Sequence, residues 1–129
     1  MTSRRERLAA AIAGDLADRP PVALWRHFPV DDQDPAAMAR STIEFQTLFD
    51  FDFVKVTPAS SFAVRDWGVE DEWQGSAEGT RTYTRRVIRR PEDWERLPKL
   101  SPDQGALASC LAGLATIVEA LGKDVPVLA

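Results

Sequence analysis

The sequence predicts an α/β fold, and three observations carry that prediction. Apolar β-type runs stand at 22–25, 53–56 and 125–129, helical periodicity fills the gaps between them, and a glycine-punctuated stretch at 60–90 interrupts the pattern. Strand–helix–strand order suits parallel pairing, because parallel neighbours need a long crossover. At the N-terminus, Ser3 and Glu6 have capping-box spacing. Leu8, Ile12 and Leu16 recur every fourth residue and predict one apolar stripe on a short helix. Arg19-Pro20-Pro21 ends it, since proline disfavours helix in the residue before it. Val22-Ala23-Leu24-Trp25 predicts a first buried strand. Asp34 before Pro35 starts a second helix, whose inward face is Met38, Thr42, Phe45 and Phe49. Asp50 and Asp52 lead into the second strand, Phe53-Val54-Lys55-Val56.

Gly68, Gly75 and Gly79, followed by the strand formers of Arg81 to Ile88, predict a β-hairpin inserted into the α/β pattern. Pro91-Glu92-Asp93-Trp94 reads as a single helical turn. Ser101-Pro102-Asp103-Gln104 predicts a second capping box with proline at the first helical position. Behind it Leu107, Cys110, Leu111, Leu114, Ile117, Val118 and Leu121 trace a helical stripe, and Gly122 stands where a C-terminal cap belongs. Val125 to Ala129 begin a third strand. Parallel sheets are normally buried on both faces, so two strands and a beginning predict a chain cut from a larger sheet.

The 129 residues suit one domain, and 44% hydrophobic with 28% charged residues is a globular balance. A net charge of -4 argues against a nucleic-acid partner, which rewards a basic surface. Arg85, Arg86, Arg89 and Arg90 cluster, but Glu92, Asp93 and Glu95 follow them. That pattern reads as a charge-mixed solvated face, with an anion or partner site as the alternative. Cys110 is the sole cysteine, which excludes an intrachain disulfide and a Cys-rich zinc site and fits a cytoplasmic location. Ser3-Arg4-Arg5 has the look of a twin-arginine signal, but Asp15 and Asp18 close the apolar stretch early. No run approaches the roughly 18 apolar residues of a membrane span, so no membrane partner is expected.

Three side chains are candidate substrate-binding groups. Arg26 follows an apolar strand, and its guanidinium suits a carboxylate clamp; otherwise it pairs with Asp31 or Asp32. His27, the only histidine, is either an acid–base group or a structural one. Lys55 lies inside a strand, where it meets substrate or pairs with a carboxylate. Trp25, Trp67, Trp73 and Trp94 read as scattered packing anchors rather than an aromatic pocket. No Gly-rich phosphate loop, Ser–His–Asp set or metal-ligand spacing is present.

Several segments, in order, carry a resemblance: Arg4-Arg5-Glu6-Arg7-Leu8 with Asp18-Arg19-Pro20-Pro21-Val22, Trp25-Arg26, Phe49 to Pro58, Asp66-Trp67-Gly68, the Pro91–Trp94 turn and Pro126-Val127-Leu128. The chain resembles the start of uroporphyrinogen decarboxylase-like proteins. The resemblance implies the N-terminal portion of a (β/α)8 TIM-type barrel spanning 1–129: an N-terminal helix, two strands, the hairpin excursion, a helix and the start of a third strand. Such barrels take about 250 residues and place active-site groups on loops after the strands. It further implies loss of tetrapyrrole acetate groups as CO2 without metal or organic cofactor. Arginines then bind the carboxylates of the substrate in the full-length parent, and an aspartate holds the pyrrole N–H groups.

Pro21-Val22 and Arg26 match the family's first strand. The second arginine's position falls at Val30 and the aspartate's near Ala59, and Asp66 is too distant to stand in for it. No catalytic residue is therefore assigned, and the polypeptide alone is expected to be inactive. The family's other branch, zinc- and corrinoid-dependent methyltransferases, is the alternative. Outside enzymology, a small α/β module forming a homodimer through an open sheet edge is the second alternative.

Overall fold

Helix α1 (Arg4–Ala13) starts at the expected capping box: the Ser3 hydroxyl accepts from the Glu6 N–H, and the Glu6 carboxylate accepts from the Ser3 N–H at 2.8 Å. The protein is described here by a computed structural model covering residues 2–129. Gly14, at a φ of 78°, closes the helix one turn earlier than the stripe predicts. Leu16 therefore lies outside it, fully exposed, and Ile12 is exposed too. The inward residue is Arg7 instead. Its guanidinium donates to both oxygens of Asp18 at 2.8 Å and to Asp52 at 2.7 Å.

Asp52 is 2% exposed and is the hub of this end of the molecule. It also accepts from Arg19 at 2.6 and 2.9 Å and from the Val22 N–H at 2.7 Å. Burial pushes the Asp52 carboxyl up, but the donors from Arg19, Val22 and Arg7 outweigh it and hold the group below the ordinary carboxylate range. Arg7 draws Asp18 down to about 2. Three of the segments that carry the resemblance, 4–8, 18–22 and 49–58, thus meet at a structural ion cluster.

Residues 22–25 do not form the expected strand. The segment runs beside β1 (Val54–Lys55), and the Asp52 N–H donates to the Val22 carbonyl at 2.9 Å. The Asp52 side chain, however, takes the Val22 N–H that a ladder would use, and no further rung forms.

Helix α2 (Pro35–Phe49) begins as predicted, with Asp34 accepting from the Ala37 N–H at 2.7 Å. Met38, Ala39, Thr42 and Gln46 are its buried residues. Phe45 sits between Phe28 and Phe51, while Phe49 stays half exposed at the edge of that aromatic group. The predicted hairpin is present: β2 (Glu70–Trp73) pairs antiparallel with β3 (Arg81–Arg85), Trp73 opposite Arg81. A short 3-10 turn (Pro91–Arg96) follows, held by Asp93, which accepts from the Arg89 and Arg90 N–H groups at 2.9 and 3.1 Å.

Helix α3 (Gly105–Leu121) ends at Gly122 as expected, but the Ser101 capping box does not form. The cap arrives from forty residues upstream. Asp66, in the 3-10 turn Arg65–Trp67, accepts from the Ala106 N–H at 2.9 Å and the Leu107 N–H at 3.4 Å. Gly105 has a φ of +62°, and a Cβ there would lie 2.6 Å from Asp66 Cγ, so glycine is what lets the carboxylate in. Asp66→Ala should therefore cost about 1 kcal/mol, visible as a lowered urea midpoint, with Asp66→Asn retaining part of it. An unchanged midpoint in Asp66→Ala would show the cap to be idle.

Strand β4 (Val127–Leu128) pairs parallel with β1, Val54 opposite Val127 and Lys55 opposite Leu128. The crossover contains the hairpin and α3, which packs on α2. Gly113 permits the approach, since a Cβ there would meet the Pro35 carbonyl at 3.0 Å. Val54, Val56 and Val125 face the helices and form the core with Met38, Ala39 and Ile117. Strand pleating sends Lys55 and Leu128 to the opposite, uncovered face. Among the described residues no helix is long and apolar enough to cross a membrane.

Candidate functional site

Lys55, on the uncovered face of β1, meets the segment that carries the other two sequence-derived candidates. Its Nζ lies 4.5 Å from the Trp25 ring centroid, a cation–π contact. The extended segment that delivers Trp25 continues directly into Arg26 and His27. Arg26 Nε donates to the His27 carbonyl at 3.2 Å, and its guanidinium lies 5.4 Å from the Phe28 ring. Trp25, Arg26 and His27 line an open groove of about 560 Å³, closed on one side by Ala77 and Glu78 of the hairpin tip.

The alternative reading of Arg26, a pairing with Asp31 or Asp32, does not occur. Asp31 accepts from the Ser41 hydroxyl, and Asp32 faces Arg81 at 3.7 Å. Arg26 and Lys55 each lack a carboxylate partner among the described residues. His27 is packed against Gly79, and its Nδ1 is buried without a hydrogen-bond partner. Arg26 and Lys55, neither in a salt bridge, thus lie on either side of the Trp25 indole, with Glu78 lining the groove beside Arg26 and His27. That chemistry suits an anionic or carboxylate-bearing ligand.

Behind the groove lies a group that sequence reading missed. Arg81, almost wholly buried, pairs with Asp71, faces Asp32, and donates to the Pro29 carbonyl at 3.2 Å. Burial pushes Asp71 up, but the nearby Ser61 hydroxyl and then the Arg81 guanidinium outweigh it, and the carboxyl ends below its usual range. Through the bond to Pro29, Arg81 ties the hairpin to the loop after His27 and so positions the groove wall. The available signal was the match of acidic 70–72 to basic Arg81 and Arg85 across a predicted hairpin.

The tryptophans are not all buried anchors: Trp25 is 51% and Trp94 64% exposed. Val30 is exposed and Ala59 buried, so the two positions where the resemblance implies a second arginine and an aspartate hold uncharged side chains. Among the described residues no three His, Cys, Asp or Glu side chains are grouped to hold a metal ion. Burial pushes the Cys110 thiol up, away from thiolate chemistry.

No family model matches the chain, and no curated protein matches it by sequence. A solved methyltransferase from Methanosarcina mazei is similar in structure, with a TM-score of 0.78 and 21% identity over 98% of this chain. The chain spans 41% of that protein's length. At this identity the likeness establishes a shared α/β fold, and no family membership follows from it.

Proposed function

We propose that residues 1–129 form the N-terminal part of a (β/α)8-barrel methyltransferase that handles an anionic substrate. The observation that carries this is the match of nearly the whole chain to part of a methyltransferase, with Arg26 across Trp25 from Lys55 on the uncovered face of β1. In a completed barrel that face would look inward, toward the place where such folds do chemistry. Decarboxylation of uroporphyrinogen is less well supported, because Ala59 leaves no carboxylate for the pyrrole N–H groups. Each buried donor left unpaired there would cost about 1–3 kcal/mol.

Arg26 and Lys55 hold the substrate's anionic end, and Trp25 supplies a flat wall that keeps Lys55 in place. In the zinc- and corrinoid-dependent branch, metal would supply an activated thiolate for methyl transfer. The described residues offer no ligand set for it.

The test is methyl transfer from methylcobalamin to a thiol by the protein of the complete reading frame, followed by absorbance. Mercaptoacetate should be methylated faster than neutral mercaptoethanol. Arg26→Ala should raise KM for mercaptoacetate about tenfold while sparing mercaptoethanol. Release of CO2 from uroporphyrinogen without methyl transfer would overturn the proposal.

A further inference from the structure

The basic cluster and two of the tryptophans remain unused by the groove above, and the fold brings them together. Val64 and Trp67, Tyr83 on β3, Arg86 and Val87 just beyond it, and Trp94 of the 3-10 turn line a cleft of about 390 Å³. None of its lining residues belongs to the Trp25–Arg26–His27 groove. The walls are strongly apolar. The Trp67 indole N–H is already spent on the Pro98 carbonyl at 2.8 Å, so its ring presents carbon to the cleft. Trp94 stands largely exposed at the rim, an unusual place for a residue that normally buries most of its area.

The charges are unevenly settled. Arg85 pairs with Glu70 at 3.0 Å, and Arg96 faces Asp93 at 3.8 Å. Asp93 is further occupied with the Arg89 and Arg90 N–H groups. The acidic neighbours thus do not neutralise the cluster in the way the sequence suggests. Arg86 has no carboxylate partner among the described residues. One guanidinium beside three aromatic rings, in a space of the size that small ligands occupy, selects for charge as well as shape.

We infer that this cleft is a second binding site, for a small planar aromatic molecule carrying one carboxylate or sulfonate. The rings hold the flat apolar body, and Arg86 takes the anion at the rim. A neutral aromatic would gain the first contact and not the second. An anion without the apolar body would gain only an exposed ion contact, which is weak in water.

The probe is 1-anilinonaphthalene-8-sulfonate, with neutral N-phenyl-1-naphthylamine as its comparison, both titrated by fluorescence. The sulfonate should bind at one saturable site, with energy transfer from tryptophan reduced in Trp94→Ala and in Trp67→Phe. Arg86→Gln should weaken it about fivefold to tenfold, and Arg86→Lys should restore part of the loss. The neutral probe should bind more weakly and be indifferent to Arg86→Gln. Amide shifts on adding the sulfonate should fall on Trp67, Tyr83 and Trp94. Equal binding of both probes, no effect of Arg86→Gln, or shifts confined to Leu111 and Leu114 on α3 would each overturn the assignment. Circular dichroism of the variants separates loss of the site from loss of the fold.

Discussion

Replacing Asp52 by alanine should lower folding stability by about 1–3 kcal/mol, because it leaves the Val22 N–H without its acceptor and takes one of two carboxylates from the buried Arg7. Asp52 sits where Arg7, Arg19 and the Val22 N–H converge, and each donor lies within 2.9 Å of its oxygens. Without the carboxylate, Arg7 keeps Asp18, but Arg19 and the Val22 amide lose their acceptor. The loss also leaves residues 20–25 tied to the start of β1 by one backbone bond, from the Asp52 N–H to the Val22 carbonyl. Asp52→Asn should be milder, because an amide oxygen still accepts from Val22. Urea unfolding followed by circular dichroism measures both. A midpoint unchanged in Asp52→Ala would show that the cluster is solvated in solution.

The same cluster sets an acid limit. Both Asp18 and Asp52 titrate below their unfolded range, Asp18 at about 2. Their contribution is therefore complete above the unfolded carboxylate value of about 4. It is lost as pH falls from there toward about 2, since the unfolded chain binds protons that the folded one refuses. Unfolding midpoints should drop across that window in the parent protein and more shallowly in Asp52→Ala. Parallel curves would remove Asp52 from the linkage.

Gly79→Ala should be the other severe substitution, by about 2–4 kcal/mol of strain and collision. Gly79 has a φ of +76°, and a Cβ there would collide with His27 Cβ and lie 2.9 Å from His27 Cγ. The first of these neighbours is fixed to the backbone and has no rotamer by which to leave. The hairpin tip must then lift away from the Trp25–Arg26–His27 groove, which Ala77 and Glu78 help to wall. A sharp check follows from which atom collides. His27→Ala keeps the offending Cβ and should not rescue Gly79→Ala, whereas His27→Gly should restore much of the melting temperature. Equal rescue by both would mean that the ring, and not the backbone approach, is the obstacle.

Local chemistry explains which elements were legible. The Asp34-Pro35 start of α2, the Ser3–Glu6 box and the hairpin between Gly68 and Ile88 depend on residues a few positions apart. Their hydrogen bonds are short in sequence, so pattern alone places them. The errors share a different origin. Leu8, Ile12 and Leu16 looked like an inward stripe, yet Arg7 turns inward because its partner Asp52 lies 45 positions away. Ser101 looked like a cap, yet Asp66 takes the role from 40 positions away. Residues 22–25 have strand composition, but a carboxylate from the next element intercepts the amide that pairing requires.

By itself the amino-acid order determined the α/β succession, the helix ends set by nearby caps, and the candidacy of Arg26, His27 and Lys55. Only the folded chain decided that Lys55 meets the Arg26–His27 segment through Trp25, and that Arg86 stands among Trp67, Tyr83 and Trp94. The physical reason is range: capping and periodicity act within a turn or two, whereas ion pairs, cation–π contacts and clefts join residues that the chain alone holds far apart.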